Sequence, residues 1–469
     1  MGRGNAAVPG RTRRATITEA QLTDLTLSDD ELGLFTDLYE LTMLQAYWAE
    51  GMHGSAVFSL FFRNPPAYRN FVLACGQEHA ARLATRVHFP RRQLDRLETV
   101  GLFREPFLRW LEGFRFSGEI LAMPEGTPVF PHEPILEVHA PVAEAQVLET
   151  VLMNLITTET VLASKAARIT LAADGRPVMD FGMRRMHGTD AALRGVRAYS
   201  VGGIRATSNV LGSLRYGLPP SGTMAHSFIQ AHHDELEAFR TYGQLYPGTT
   251  LLVDTYDTLA AVRKVIRLVR EEGLQIGAIR LDSGDLGALA RHARDLLDAA
   301  GLEHIQIVAS GGLDEWTIRD LLVGGAPIDR FGVGTEMGTS VDAPSLDLAY
   351  KLTEYDGEPR LKNAPGKQLH PGPKQVWRFS DGNGRYSHDE ITCRGEHRDG
   401  TPLLTPIIRD GAPLAEPPGI TSGRDRAWAA IARFPELMRE LEPAPTPYPV
   451  QFSEALQRLR RDTIAKLGY

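Results

Sequence analysis

Cysteine is almost absent from this chain: Cys75 and Cys393 are the only two in 469 residues. Neither stands at a metal-ligand spacing, and two thiols in a chain of this length argue against a disulfide framework. Lysine is nearly as scarce, 7 against 44 arginines, a bias that codon usage in a G+C-rich genome explains. No apolar run approaches about 18 residues, so no membrane span is expected. No G-x-G-x-x-G joins a strand to a helix, and the dinucleotide fingerprint is therefore missing. The excess charge is acidic, net −7, which argues against a general nucleic-acid binder. What the chain does have is 43% apolar and 8% aromatic residues, enough for large cores in roughly two to four domains.

The ends and joints are legible in outline. Residues 1–30 carry Arg3, Arg11, Arg13 and Arg14, no acid before Glu19 and no apolar h-region; this is a frayed tail rather than a secretory signal. Apolar residues at 38, 41, 44 and 48 follow helical spacing behind Thr36 or Asp37 as N-cap. Val57–Phe62, Phe114–Ala122 and Pro134–His139 read as strands. Together they predict an α/β domain over residues 31–145, followed by a second domain at 146–350 and a Pro- and Gly-rich region at 351–469 that wraps back onto the first. Lys362, Lys367 and Lys374 in that last region are either phosphate contacts or solvated surface lysines.

The middle region repeats strand and helix. Strands at 178–181, 251–254, 278–282, 305–310 and 330–334 alternate with helices, and the polar strand-end residues 254, 282, 310 and 334 are separated by 28, 28 and 24 positions. That regularity fits an irregular or incomplete βα barrel of the TIM kind better than one Rossmann sheet. In such a barrel the chemistry sits where strands give way to loops. Asp254, Asp282, Ser310-Gly311-Gly312 and Gly334-Thr335 stand there, and glycine loops expose backbone N–H groups to a phosphate.

The segment from Asp180 to Ser227 is the richest in chemistry. It holds Phe181, the adjacent Arg184 and Arg185, Thr207-Ser208, and His226 among small residues in Gly222-Thr223-Met224-Ala225-His226. A ring to stack on a ring, guanidiniums to fork onto carboxylate or phosphate, and a histidine able to act as base or phosphoryl acceptor suit a flat anionic ligand beside a phosphorylated sugar.

These residues carry a resemblance. The chain resembles the nicotinate phosphoribosyltransferases, of the type II group that also holds the nicotinamide and quinolinate enzymes. The match runs from about residue 34 to about 380, through T-D-L-Y-E-L-T-M at 36–43, F-F-R-N-P at 61–65, S-K-A-A-R at 164–168, D-F-G-M-R-R at 180–185, T-S-N-V at 207–210, G-T-M-A-H-S at 222–227, V-D-T-Y-D-T at 253–258, R-L-D-S-G-D-L at 280–286 and P-G-P-K-Q-V-W-R at 371–378. Met186, the stretch Val201-Gly202-Gly203-Ile204, and Pro373 in place of a basic residue depart from the pattern. The last of these puts a C-terminal phosphate contact in question.

The resemblance implies a cytoplasmic enzyme of NAD salvage. It joins nicotinate to phosphoribosyl pyrophosphate, releases pyrophosphate, and draws on ATP as co-substrate and on Mg²⁺ held through the pyrophosphate, with Asp254 and Asp282 as candidate ligands. It implies that Phe181 stacks on the pyridine, with Tyr39 of a second subunit on the other face, so that a homodimer shares its sites. Arg184 and Arg280 face the carboxylate and nearby phosphates, and Thr223 lies near the base. Gly311, Gly312, Gly334 and Thr335 take the 5′-phosphate, Asp254 and Asp282 face the ribose or the metal, and His226 is phosphorylated by ATP. Ser208 stands where a nicotinamide enzyme carries an aspartate, and a serine donates to a carboxylate that an aspartate would repel. The alternatives are a nicotinamide phosphoribosyltransferase and a non-catalytic barrel that senses a phosphorylated ligand.

Overall fold

The computed structural model describes residues 27–364, 369–417 and 419–468. Most of the tail expected to fray, and Lys367, lie outside these residues. Two sheets dominate. The first is antiparallel and seven-stranded, in the order Glu358–Pro359, Leu348–Tyr355, Ser55–Phe62, Leu136–Pro141, Glu119–Ala122, Thr405–Arg409, Ala412–Pro413. Its strands come from both ends of the chain, because the C-terminal region does fold back on the first domain. Ser55–Phe62 is buried along nearly its whole length and pairs with strands on both sides, as a central strand must. The expected strand Phe114–Ala122 is shorter, Glu119–Ala122. Phe114 instead closes the turn that ends the helix Glu105–Glu112, donating its N–H to Leu111 O at 2.9 Å.

The second sheet is wholly parallel and six-stranded, in the order Ala206–Thr207, Val178–Asp180, Arg330–Val333, Gln306–Ala309, Ile276–Leu281, Thr249–Leu252. A closed barrel would pair the two outer strands with each other, and here they are not neighbours, so the barrel is incomplete. The segment 219–224 fills the opening: Thr207 donates its N–H to Pro219 O at 3.1 Å and accepts from Ser221 N at 2.9 Å. Farther along, the Leu252 N–H reaches Met224 Sδ at 3.4 Å. The Ala206–Thr207 strand is two residues long, too short to leave a periodic signal. The helices Thr258–Glu272, Leu286–Ala299 and Glu315–Val323 begin at Asp257, Asp285 and Asp314, whose carboxylates accept from backbone N–H groups three residues on, the N-capping that fixes where each loop ends.

The helix Glu149–Ala172 packs against the strand Leu348–Tyr355 of the first sheet and against the barrel-side helices Glu315–Val323 and Thr335–Thr339. By length and composition the stretch Val142–Ala172 would pass for a membrane span, against the sequence expectation of none; two thirds of its apolar 18-residue window is buried within the protein. Its buried face also carries charge. Lys165 Nζ lies 2.6 Å from Glu315 and 2.7 Å from Asp342, and Arg168 Nε donates to Glu315 at 2.8 Å. The S-K-A-A-R motif thus ties this helix to the barrel. Lys374 is also buried, 3.5 Å from Glu137, so it is not a solvated lysine.

Glu159, on the same helix, is fully buried and bonded to Arg197, with His79 and Arg194 each 3.5 Å away. Burial pushes its carboxyl up, but Arg197, backed by His79 and Arg194, outweighs burial and holds it at about 2. A depressed carboxylate gives stability that is complete above its unfolded value and lost as pH falls through the folded one. Glu159→Gln is therefore expected to cost about 3–5 kcal/mol at pH 7 by leaving Arg197 incompletely paired, and to flatten the loss of stability between pH 4.5 and 2. Denaturant melts across that range check both effects.

Candidate active site

At the carboxyl ends of the parallel strands a cleft of about 180 Å³ is lined by Phe181, Arg184, Arg185, Ser208, Gly222, Thr223, Arg280, Asp282, Ser310, Gly311, Gly312, Gly332, Gly334 and Thr335. Ten of the residues that the sequence singles out meet there. Alternation along the strands explains how: Met179 and Phe181, Ala278 and Arg280, and Val308 point to one face, and the small apolar cluster of Met179, Ala278 and Val308 forms the floor below Phe181.

The loops are held by their own strand ends. Asp180 is buried, accepts from Gly182 N at 2.8 Å and from Thr207 Oγ1 at 2.7 Å, and its backbone carbonyl accepts from Ser208 N at 2.9 Å. Burial raises its pKa, and the two donors oppose that shift. This one side chain joins the loop bearing Phe181 and Arg184 to the loop bearing Ser208. Arg280 donates to Asp282 Oδ1 at 3.1 Å, and the Ser310 hydroxyl donates to the same oxygen. The Arg280 guanidinium lies 5.6 Å from the centre of the Phe181 ring, a cation–π contact. Its Nε is buried without a hydrogen-bond partner among the described residues. Arg185 donates to Thr335 Oγ1 at 3.0 Å.

Gly311 has no substitute. Its φ is +91°, and a Cβ there would stand 1.8 Å from the Asp282 carbonyl oxygen. The adjacent Gly312, φ +64°, faces open space. Three arginines against one aspartate make the cleft cationic, as an anionic ligand requires.

Three expected residues do not line the cleft. Asp254 stands just behind it: its Oδ2 accepts from Asp282 N at 3.1 Å and Ser283 Oγ at 2.6 Å. Its Oδ1 is buried with no partner among the described residues. An orphaned carboxylate oxygen next to a second aspartate fits a hard divalent cation. His226 is one step further out, its Nδ1 3.1 Å from Thr255 Oγ1, so it connects to the acidic pair through the residue after Asp254. Tyr39 is 46% exposed, in the N-terminal turn of the helix Leu38–Glu50, and takes no part in the cleft of its own chain.

Sequence reasoning placed Arg185, Gly222 and Ser310 in its motifs without assigning each a contact, and it missed Gly332. Arg185 is the second of the adjacent arginines, and Gly222 and Ser310 open the segments 222–227 and 310–312 already noted. Gly332 alone left no signal, being one glycine inside an apolar strand.

Two family descriptions match, the nicotinate phosphoribosyltransferase N-terminal domain over residues 34–157 and the nicotinate phosphoribosyltransferase family over residues 177–370. The chain belongs to the nicotinate phosphoribosyltransferase family. It is 47% identical over 440 residues to nicotinate phosphoribosyltransferase pncB2 of Mycobacterium tuberculosis, covering 92% of this chain and 95% of that one. It is 41% identical over 372 residues to the nicotinate phosphoribosyltransferase of Bacillus subtilis, covering 77% and 76%. Among solved structures, human nicotinic acid phosphoribosyltransferase superposes with a TM-score of 0.80 at 27% identity, over 91% of this chain and 99% of that one.

Proposed function

We propose that this enzyme is a nicotinate phosphoribosyltransferase acting in NAD salvage. The pyridine nitrogen of nicotinate forms a bond to the anomeric carbon of phosphoribosyl pyrophosphate as the bond to the pyrophosphate oxygen breaks, and that electron pair leaves with pyrophosphate. The observation that carries this reading is the meeting of Phe181, Arg280, Asp282, Gly311, Gly312 and Gly334 in one cationic cleft, in a chain 47% identical to an enzyme of that name.

Each group has work that its surroundings allow. Phe181 offers a flat face to the pyridine, and Arg280, with a free Nε, and Arg184 pair with the carboxylate and phosphate oxygens. Ser208 and Thr223 complete the surroundings of the base; a serine at 208 favours the carboxylate of nicotinate over an amide. The backbone at Gly311, Gly312, Gly334 and Thr335 takes the 5′-phosphate. Positive charge grows on the ribose as pyrophosphate departs, and the Asp282 carboxylate, held in place by Arg280 and Ser310, lies where it stabilises that charge. Asp254 and Asp282 are the residues that would hold Mg²⁺, which when bound supplies charge neutralisation for the pyrophosphate. The two free thiols, Cys75 and Cys393, fit a reducing cytoplasm.

Two refinements belong to the same proposal. Tyr39, exposed and away from its own cleft, reaches the pyridine of a second subunit, making a homodimer with shared sites. His226 accepts a phosphoryl group from ATP, coupling ATP hydrolysis to the transfer.

The wild-type protein with Mg²⁺ and phosphoribosyl pyrophosphate is expected to release pyrophosphate with nicotinate and far less with nicotinamide. Asp282→Asn, which keeps shape and removes charge, should lower kcat by about 10²–10³ with an unchanged melting temperature. A variant as fast as wild type would take Asp282 out of the chemistry. Labelling with γ-labelled ATP should give acid-labile, base-stable phosphate that His226→Asn abolishes along with ATP stimulation. Label retained in that variant would contradict the phosphohistidine. For the shared site, mixing inactive Tyr39→Ala with inactive Asp282→Asn should restore activity, since one class of site in the hybrid dimer is intact. A fully active monomer in sedimentation would exclude sharing.

A further inference from the structure

Gly332 is a glycine with no backbone reason to be one. It lies inside the strand Arg330–Val333, and its φ is not in the left-handed region that favours glycine. Glycine inside a strand weakens it, and commonly marks the close approach of another group. Here that group is identifiable. A Cβ on Gly332 would stand 2.4 Å from Cε2, 2.6 Å from Cδ2 and 3.3 Å from Cζ of Phe181, against about 3.5–4.0 Å for carbons in ordinary contact.

The register accounts for the approach. Gly332 is the Cα partner of Met179 in the neighbouring strand, and Phe181 follows Met179 by two residues, on the same face. The Phe181 N–H donates to Val333 O at 2.8 Å, so its backbone is pinned to the strand that carries Gly332. Arg280 stands over the ring. With the backbone fixed, an added methyl leaves the ring one way to move, on the order of 1 Å out into the cleft.

We propose that Gly332 is a specificity-determining positioning residue: by presenting bare backbone, it lets the Phe181 ring lie flush on the sheet and so sets the width of the slot that receives the planar base. This rests on the reading of Phe181 as the ring that stacks on nicotinate. Gly332 touches no reacting atom. It acts through Phe181, and its effect is confined to the base. On this reading a displaced ring leaves the backbone of the phosphate loops at Gly311, Gly312 and Gly334 in place.

The test uses the full chain and steady-state kinetics in both substrates for Gly332→Ala, Phe181→Leu and the double variant. Displacing a reacting partner by about 1 Å can cost up to 10²-fold. Gly332→Ala is expected to raise the KM for nicotinate at least tenfold and to leave the KM for phosphoribosyl pyrophosphate within twofold. Leucine lacks Cε2 and Cζ, and its two Cδ methyls can rotate about χ2 away from the added carbon, so the double variant should match Phe181→Leu alone. A merely structural glycine predicts instead that both KM values and the melting temperature change together and that the two penalties multiply. A nicotinate KM within twofold of wild type in Gly332→Ala, or multiplying penalties, overturns the proposal. Should Gly332→Ala not accumulate, the double variant against Phe181→Leu carries the same comparison, equality supporting the proposal and inequality overturning it. A crystal structure of the alanine-bearing protein reads the ring directly: displaced, it supports the inference; unmoved, it overturns it. That readout is independent of whether wild type turns over nicotinate, which tests the assigned function instead.

Discussion

The cleft depends on one constraint, the shared register of the parallel strands. Side chains alternate across a sheet with a period of two, so a single set of pairings decides which residues point into the half-barrel. Arg280 is opposite Val308, and Gly332 is opposite Met179. From these pairings Arg280, Asp282, Ser310, Phe181 and Gly332 arrive on the same side, on successive levels of the strand ends. A slip of one residue in any strand would turn its contribution outward. The strand ends then secure the loops: Asp180 bonds both its own loop and the next, and Asp254 accepts from the backbone of Asp282.

The half-barrel is open, and its scaffold has to come from elsewhere. The helix Glu149–Ala172 supplies it with buried charges rather than apolar packing alone. Lys165 and Arg168 face Glu315 on the barrel side, and Glu159 faces Arg197. Ion pairs like these add little when compared with apolar replacements, yet leave a large penalty when one partner is lost. They join the helix to the barrel at fixed points. The opening itself is filled by residues 219–224, the segment that leads directly to Thr223 and His226, so the piece that completes the wall also delivers part of the site.

Much of this was legible in the sequence, for physical reasons that differ by element. Four of the barrel strands are apolar runs ended by polar residues at near-constant spacing, and burial on both faces gives such runs a clear signal. The strand Ala206–Thr207 has two residues and no period to read. Residues 114–118 read as strand because Phe114 and Phe116 are aromatic and two apart, and both are indeed buried, but Phe114 closes a helix instead of entering the sheet. The S-K-A-A-R motif was legible as a family mark and not as a buried ion cluster, since only the fold brings Glu315 and Asp342 to it. Ten of the thirteen residues chosen for the site meet in the cleft; Asp254, His226 and Tyr39 do not line it. Gly332 was invisible because its importance lies in an atom it lacks, and only coordinates show what that atom would strike.

The central claim is that this one cleft holds base, ribose and phosphate together, and a crystal structure of the protein with nicotinate mononucleotide tests it most directly. The account predicts the pyridine ring against Phe181, its carboxylate toward Arg280 or Arg184, and the 5′-phosphate on the backbone of Gly311, Gly312 and Gly334. A mononucleotide seated elsewhere, or one whose ring avoids Phe181 while its phosphate leaves the glycine loops empty, would contradict it.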